Sequence, residues 1–225
     1  MSRQAGLWVA LAVLAAGIAG CASGASKASA DMRQLQARAA YERGLQHLRD
    51  KQPGLALGAL QEAVTTDDSV AVYWNTLGWL NLQLGRFDEA LPKFRKAVEL
   101  DPAFAEAQLN IGVVLAETAS WEEAASAYRK AIALPTLSTP HVAYQNLGLA
   151  YYHLKRYREA EEALRFAITL DPQLAPAFYH LGLVFTVQNR SDDAKAAFRR
   201  ARDLAPQTPF GQAAIQRLQA LGDGG

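Results

Sequence analysis

Five glycines set the frame of this chain. Gly44, Gly78, Gly112, Gly148 and Gly182 recur at intervals of 34, 34, 36 and 34 residues. Twelve residues after each stands an alanine (Ala56, Ala90, Ala124, Ala160, Ala194), and seven further on another (Ala63, Ala97, Ala131, Ala167, Ala201). A fixed period of this length marks an array of like supersecondary units, none of which buries its apolar face alone. Between the small residues, apolar side chains fall at i, i+3, i+4 and i+7, the helical period. Each repeat therefore reads as two amphipathic helices. The glycine and the first alanine bring the two helices of one repeat together, and the second alanine makes room for the first helix of the next. Larger residues fill the remaining volume: Trp74, Tyr144 and Phe178 early in first helices, and Leu60, Phe94, Tyr128, Leu164 and Phe198 in second helices. Pro102, Pro172 and Pro206 end second helices, because proline cannot continue the ladder. Ser120-x-x-Glu123 reads as a capping box, and Ser191-Asp192-Asp193 as a cap with negative charge at a helix start.

The segment Trp74-Asn75-Thr76-Leu77-Gly78, followed by Ala90, Phe94, Ala97 and Pro102, resembles the tetratricopeptide-repeat (TPR) consensus. The resemblance implies an all-α TPR solenoid, a right-handed superhelix of five helix-turn-helix repeats (37–70, 71–104, 105–140, 141–174, 175–208) with a C-terminal capping helix over 209–221. The whole array would occupy 31–222. The first repeat has Arg43 and His47 where Leu or Tyr is usual, as an exposed terminal repeat tolerates. Residues 31–36 extend its first helix, and residues 223–225 are expected to fray.

Ahead of the array stands the chain's single cysteine, Cys21. One cysteine excludes an intramolecular disulfide, a CxxC redox pair and a cysteine-rich zinc site. It follows a short basic start, an apolar run over 5–18 and the small pair Ala19-Gly20, the layout of an export signal rather than of a full membrane span. Ile18-Ala19-Gly20-Cys21 resembles the bacterial lipobox. That resemblance implies that residues 1–20 are a lipoprotein signal peptide and that Cys21 is the acylated first residue of the mature protein. Residues 22–30, small and polar, read as a flexible tether. Ala22 rather than Asp after the cysteine points by analogy to the periplasmic face of the outer membrane. Whole, the chain carries 23 basic and 22 acidic side chains; removing residues 1–20 takes away only Arg3 and leaves 22 of each. A neutral mature protein would hold the membrane through lipid, not charge, and it has no basic excess for nucleic acid.

Nothing in the chain reads as an active site. The four histidines, His47, His141, His153 and His180, sit in different helical contexts, and HExxH, GxSxG and phosphate-binding glycine loops are missing. The reading is of a non-enzyme with no cofactor, no metal and no small-molecule substrate. In TPR proteins generally, function lies on the face lined by first helices. The corresponding positions hold Tyr41, Leu45, Asn75, Trp79, Leu82, Leu109, Val113, Gln145, Leu149, Tyr152, Tyr179 and Leu183. These form a largely apolar groove for a protein segment, with Asn75 and Gln145 able to bond its backbone; the alternative is a surface covered by the array itself or by the last helix. Arg38, Arg49, Glu106 and Glu117 are the few charges on it. The third repeat carries two extra residues, within a proline-bounded stretch over 134–140 that reads as a stiff connector. Pro135-x-x-Ser138 followed by Asn146-Leu147-Gly148-Leu149, in a TPR chain with a lipobox, resembles the type IV pilus biogenesis lipoproteins (the pilotins PilF, PilW and Tgl). That resemblance implies a pilotin that binds secretin subunits and promotes their localisation and assembly at the outer membrane. The alternative is a scaffold for another envelope complex, such as cell-wall or outer-membrane assembly machinery.

Overall fold

The computed structural model describes the backbone of residues 4–222 and the side chains of residues 27–222. Among the described residues there are eleven helices and no strands: α1 (Gln4–Arg49), α2 (Pro53–Thr66), α3 (Ala71–Gln83), α4 (Phe87–Leu100), α5 (Ala105–Glu117), α6 (Trp121–Ile132), α7 (Pro140–His153), α8 (Tyr157–Leu170), α9 (Ala175–Val187), α10 (Ser191–Leu204) and α11 (Pro209–Ala220). They pair as the repeat demands, in a TPR solenoid. The chain divides into two compact units, Met1–Leu77 and Gly78–Gly225, with the boundary inside α3.

The glycine register has one physical cause in all five repeats. Each glycine lies against the large side chain sixteen residues downstream, on the second helix of the same repeat. In the first unit a Cβ on Gly44 would come within 2.7 Å of Leu60. In the second, Gly112 faces Tyr128 at 2.5 Å, Gly148 faces Leu164 at 2.5 Å, Gly182 faces Phe198 at 2.5 Å, and Gly78 faces Phe94 at 3.0 Å. A methyl group at these places would overlap a fully buried side chain in a core already packed to crystal-like density. The ten alanines of the register are all completely buried. Around them the core of the second unit gathers Phe94, Val114, Tyr128, Leu147, Leu164, Val184, Phe198 and Leu218.

The turn between the two helices of a repeat is equally regular, and the sequence does not announce it. The residue seven after each marker glycine has positive φ: Lys51 (56°), Gly85 (69°), Ala119 (57°), Lys155 (60°) and Asn189 (59°). The next N–H then reaches back five residues, from Gln52 to His47, Arg86 to Asn81, Ser120 to Leu115, Arg156 to Tyr151 and Arg190 to Phe185, at 2.8–2.9 Å. This is the Schellman closure, which satisfies carbonyls that a helix end leaves open. Only one of the five positions holds the glycine that the geometry favours.

That turn also corrects the capping assignments. Ser120 is the N-cap of α6, but its side chain makes no capping bond. Arg190, not Ser191, is the N-cap of α10, and Ser191 is the first helical residue. The Schellman closure holds these caps at ψ of 63° and 71°, short of the extended backbone from which a serine side chain reaches the N3 amide. Thr208 does cap α11, accepting from the Gly211 N–H at 3.3 Å. The second helices stop where the prolines require: α4, α8 and α10 end two residues before Pro102, Pro172 and Pro206. α11 occupies the place of the expected capping helix and packs on α9 and α10.

At the N-terminus α1 includes residues 31–36 as expected, but its backbone also runs as helix through 22–30, where composition suggested coil. Four alanines in nine residues favour helix continuation once α1 supplies a nucleus. Cys21 lies outside the described side chains, and residues 223–225 lie outside the described residues. Among the described residues no helix is long and apolar enough to cross a membrane.

Candidate protein-binding surface

Positions five, nine and twelve of a first helix are separated by four and three residues, so they share one face. In the second unit the first helices α5, α7 and α9 lie side by side, α7 touching both neighbours. Val113, Leu149 and Leu183 are thereby placed as a row, each half-buried. Trp79, on the part of α3 that belongs to this unit, is 41% exposed, high for so large an apolar side chain. Leu82 and Tyr152 are half-buried and pack on the core from this face. Leu109 differs from the expectation. It is 7% exposed and belongs to the core, so it offers a partner almost nothing.

Several of the polar and aromatic members are engaged within the protein. Gln145 donates through Nε2 to Asn146 Oδ1 at 3.0 Å, which uses one of its two amide protons. The Tyr179 ring lies 5.8 Å from that of Phe210 on α11 and 5.7 Å from that of Phe198, so the last helix covers one end of the row. In the first unit the Tyr41 hydroxyl bonds Thr76 Oγ1 at 3.1 Å and its ring sits 4.6 Å from that of Tyr73. Leu45 and Asn75 are half-buried there.

The connector over 134–140 is non-helical, as its prolines dictate, and Pro140 begins α7. Other repeats close through an aspartate that accepts the N–H two residues on: Asp67 from Ser69, Asp101 from Ala103 and Asp171 from Gln173. The third repeat has Pro135 at that place, and longer bonds take over. Thr136 Oγ1 donates to the Ala103 carbonyl at 2.6 Å. Ser138 donates both its hydroxyl (2.8 Å) and its backbone N–H (3.2 Å) to one carboxylate oxygen of Glu106. Burial pushes the Glu106 carboxyl up, but the Ser138 hydroxyl and backbone N–H groups outweigh it and hold it below its ordinary range. Sequence pattern found Glu106 and Ser138 separately; their pairing depends on how the connector folds back.

Salt links join successive repeats of the second unit. Arg190 reaches Glu161 of the preceding repeat at 2.7 Å and Asp193 of its own at 2.8 Å. Arg156 pairs with Glu159 and reaches Glu122 of the preceding repeat at 3.4 Å. Arg156, Glu159, Arg190 and Glu161 are half-buried and still reached by solvent, so each pair contributes on the order of 1 kcal/mol. Among the described residues no cluster of His, Cys, Asp and Glu is placed to hold a metal ion. What the surface offers chemically is apolar area and a few amide and carboxylate groups, the means of binding a polypeptide.

Similarity to known proteins agrees with this. Over 135 residues the chain is 33% identical to the type IV pilus assembly protein PilF of Pseudomonas aeruginosa, a match that covers 59% of this chain. The chain thus spans about half the length of that relative (53%). The crystal structure of PilW, described as a widely conserved type IV pilus biogenesis factor, superposes with a TM-score of 0.68 at 22% identity, covering 82% of this chain and 92% of PilW. The structure of Pseudomonas aeruginosa PilF gives 0.67 at 20% identity, covering 86% and 95%. At these identities the structural likeness establishes the fold. A family model described as "Cilia and flagella-associated protein 70 C-terminal domain" matches residues 10–207. With five glycine-seated helix pairs and that match over most of its length, the chain is a TPR protein and belongs to the cilia and flagella-associated protein 70 C-terminal domain family.

Proposed function

We propose that the protein is a lipid-anchored pilotin of the type IV pilus. It binds secretin subunits on the first-helix face and holds them at the periplasmic side of the outer membrane through Cys21. The observation that carries this reading is the 33% identity to PilF, a type IV pilus assembly protein. The lipobox-like run ending in Cys21 supports the anchor, and the half-buried row of Val113, Leu149 and Leu183 beside Trp79 supports the binding face. The mechanism is binding and localisation without covalent chemistry. Anchoring confines subunits to a thin layer at the membrane and raises their effective concentration for ring assembly.

The test is genetic and biochemical together. Deleting the gene should abolish membrane-assembled secretin multimers, and restoring the wild type should recover them. Cys21→Ser should leave a folded protein that no longer fractionates with outer membrane. Trp79→Ala combined with Leu149→Ala should weaken secretin capture at least tenfold while leaving the helical signal intact. Normal multimers in the deletion strain would exclude the pilotin role and leave the scaffold for another envelope complex.

A further inference from the structure

A second surface, separate from the first-helix row, comes from a break in the repeat register. Four residues before the marker glycine, three successive repeats of the second unit carry Gln108, Tyr144 and Phe178. Where the residue is aromatic, the ring is used. Tyr144 packs against Phe166 at 4.4 Å between ring centroids, and Phe178 lies beneath the Arg200 guanidinium at 5.8 Å. In the third repeat there is no ring. The residue in the place of Phe166 is Lys130, and between α4, α5 and α6 a cleft of about 340 Å³ remains.

The cleft is built rather than bare. Its apolar walls are Val98, Ile111 and Leu115, and Gln108, a polar residue only 9% exposed, also lines it. Arg95 and Lys130 border it against a single acid, Glu123. Neither cation makes an ion pair with a described residue, in contrast to Arg156 and Arg190. The volume is in the range of real ligand sites, large enough for one aromatic ring and a neighbouring carboxylate.

We infer that this cleft docks a partner polypeptide segment that presents an aromatic side chain next to an acidic residue. The ring takes the place that Tyr144 and Phe178 fill in their own repeats. The acid meets Arg95 and Lys130, whose excess over Glu123 gives the mouth a positive charge. Gln108 remains below, with donors and an acceptor for the segment's backbone. This site is independent of the pilotin reading, since none of its residues belongs to the first-helix row.

The probe is the peptide acetyl-Gly-Asp-Phe-Asp-Gly-amide, titrated into the full chain by calorimetry and by chemical-shift mapping. Saturable binding is expected, with shifts centred on Gln108, Ile111 and Lys130. Gln108→Tyr supplies the missing ring and should weaken binding at least tenfold. Arg95→Gln with Lys130→Gln, both surface changes, should weaken it about fivefold and flatten its salt dependence. Absence of saturable binding to the wild type overturns the proposal, as does equal binding by Gln108→Tyr. Equal binding of the analogue with Ala for Phe overturns it too, because charge alone would then suffice. If Gln108→Tyr is poorly folded by circular dichroism, the Arg95/Lys130 variant decides alone. A change in sedimentation coefficient with Gln108→Tyr would assign the cleft to a second copy of the chain and overturn the partner assignment.

Discussion

Ser138 donates two hydrogen bonds, from its hydroxyl and its backbone N–H, to a single oxygen of Glu106, thirty-two residues earlier. The pair fastens the two-residue insertion of the third repeat to the start of α5, on the first-helix side. Ser138→Ala removes the hydroxyl bond and should cost about 0.5–1.5 kcal/mol. It should also raise the Glu106 carboxyl from its depressed value. A group whose folded pKa is lowered stabilises the fold above its ordinary pKa, and that stabilisation disappears as pH falls through the folded value. Wild type should therefore lose this contribution below about pH 4.5, and Ser138→Ala, which keeps the backbone N–H bond, should show a smaller loss. Carboxyl titration by NMR at Glu106 measures both effects, and an unchanged titration in the variant would contradict the pairing.

The glycine register predicts a ranking. At Gly112 an added methyl would sit 2.5 Å from the Tyr128 ring, which is fully enclosed, so Gly112→Ala should destabilise by about 1–3 kcal/mol through overpacking. At Gly78 the nearest atoms of Phe94 are 3.0 Å away. There the gain in helix propensity, about 1 kcal/mol, should offset most of the strain. Denaturant unfolding of the two variants checks the order; a larger loss at Gly78 than at Gly112 would refute the packing account.

Ala119 holds a left-handed backbone that costs an L-residue on the order of 1 kcal/mol, whereas the same turn in the second repeat has Gly85. Ala119→Gly should stabilise the protein by roughly 0.5–1 kcal/mol, part of the relief being returned as unfolded-chain entropy. The matching change at Gly85, to Ala, should destabilise by a similar amount. Melting temperatures that move the same way in both variants would contradict the turn assignment.

His180 is 6% exposed, and its Nδ1 is buried without a protein partner beside the Phe210 ring. Burial, with the His153 charge as a smaller cause, pushes its pKa down to about 4 from an ordinary 6.5. The unfolded chain then binds the proton more readily than the fold does. Stability is complete above pH 6.5 and falls as pH drops from 6.5 towards 4, by roughly 3 kcal/mol at most. His180→Leu should flatten that acid limb. Unfolding free energies at pH 7.0 and 4.5 decide it, and an equally steep loss in the variant would place the acid sensitivity elsewhere.

The register of small residues was legible because it answers to a local rule. One methyl group separates alanine from glycine, and a large side chain sixteen residues on needs its absence. The helix pairs, the terminating prolines and the last helix follow from the same rule and from the helical period. The cap assignments misread the local signal, since the Schellman turn before α6 and α10 holds the backbone away from the capping conformation. The groove positions were legible as positions but not as surfaces. Leu109 shares a helix face with Val113, yet packing sinks it into the core. Likewise the approach of Phe210 to Tyr179 follows from how α11 docks, which no periodicity contains.

By itself, then, the sequence determined which segments of the repeats are helices and which two must pair, because period, small-residue spacing and proline act within one repeat; the helix through 22–30 lay outside that rule. The tertiary structure alone decided the rest. It brought Ser138 to Glu106, seated Leu109 in the core and opened a cleft at Gln108. Each of these depends on side chains from different helices competing for the same space, and that competition is settled only when the repeats stack.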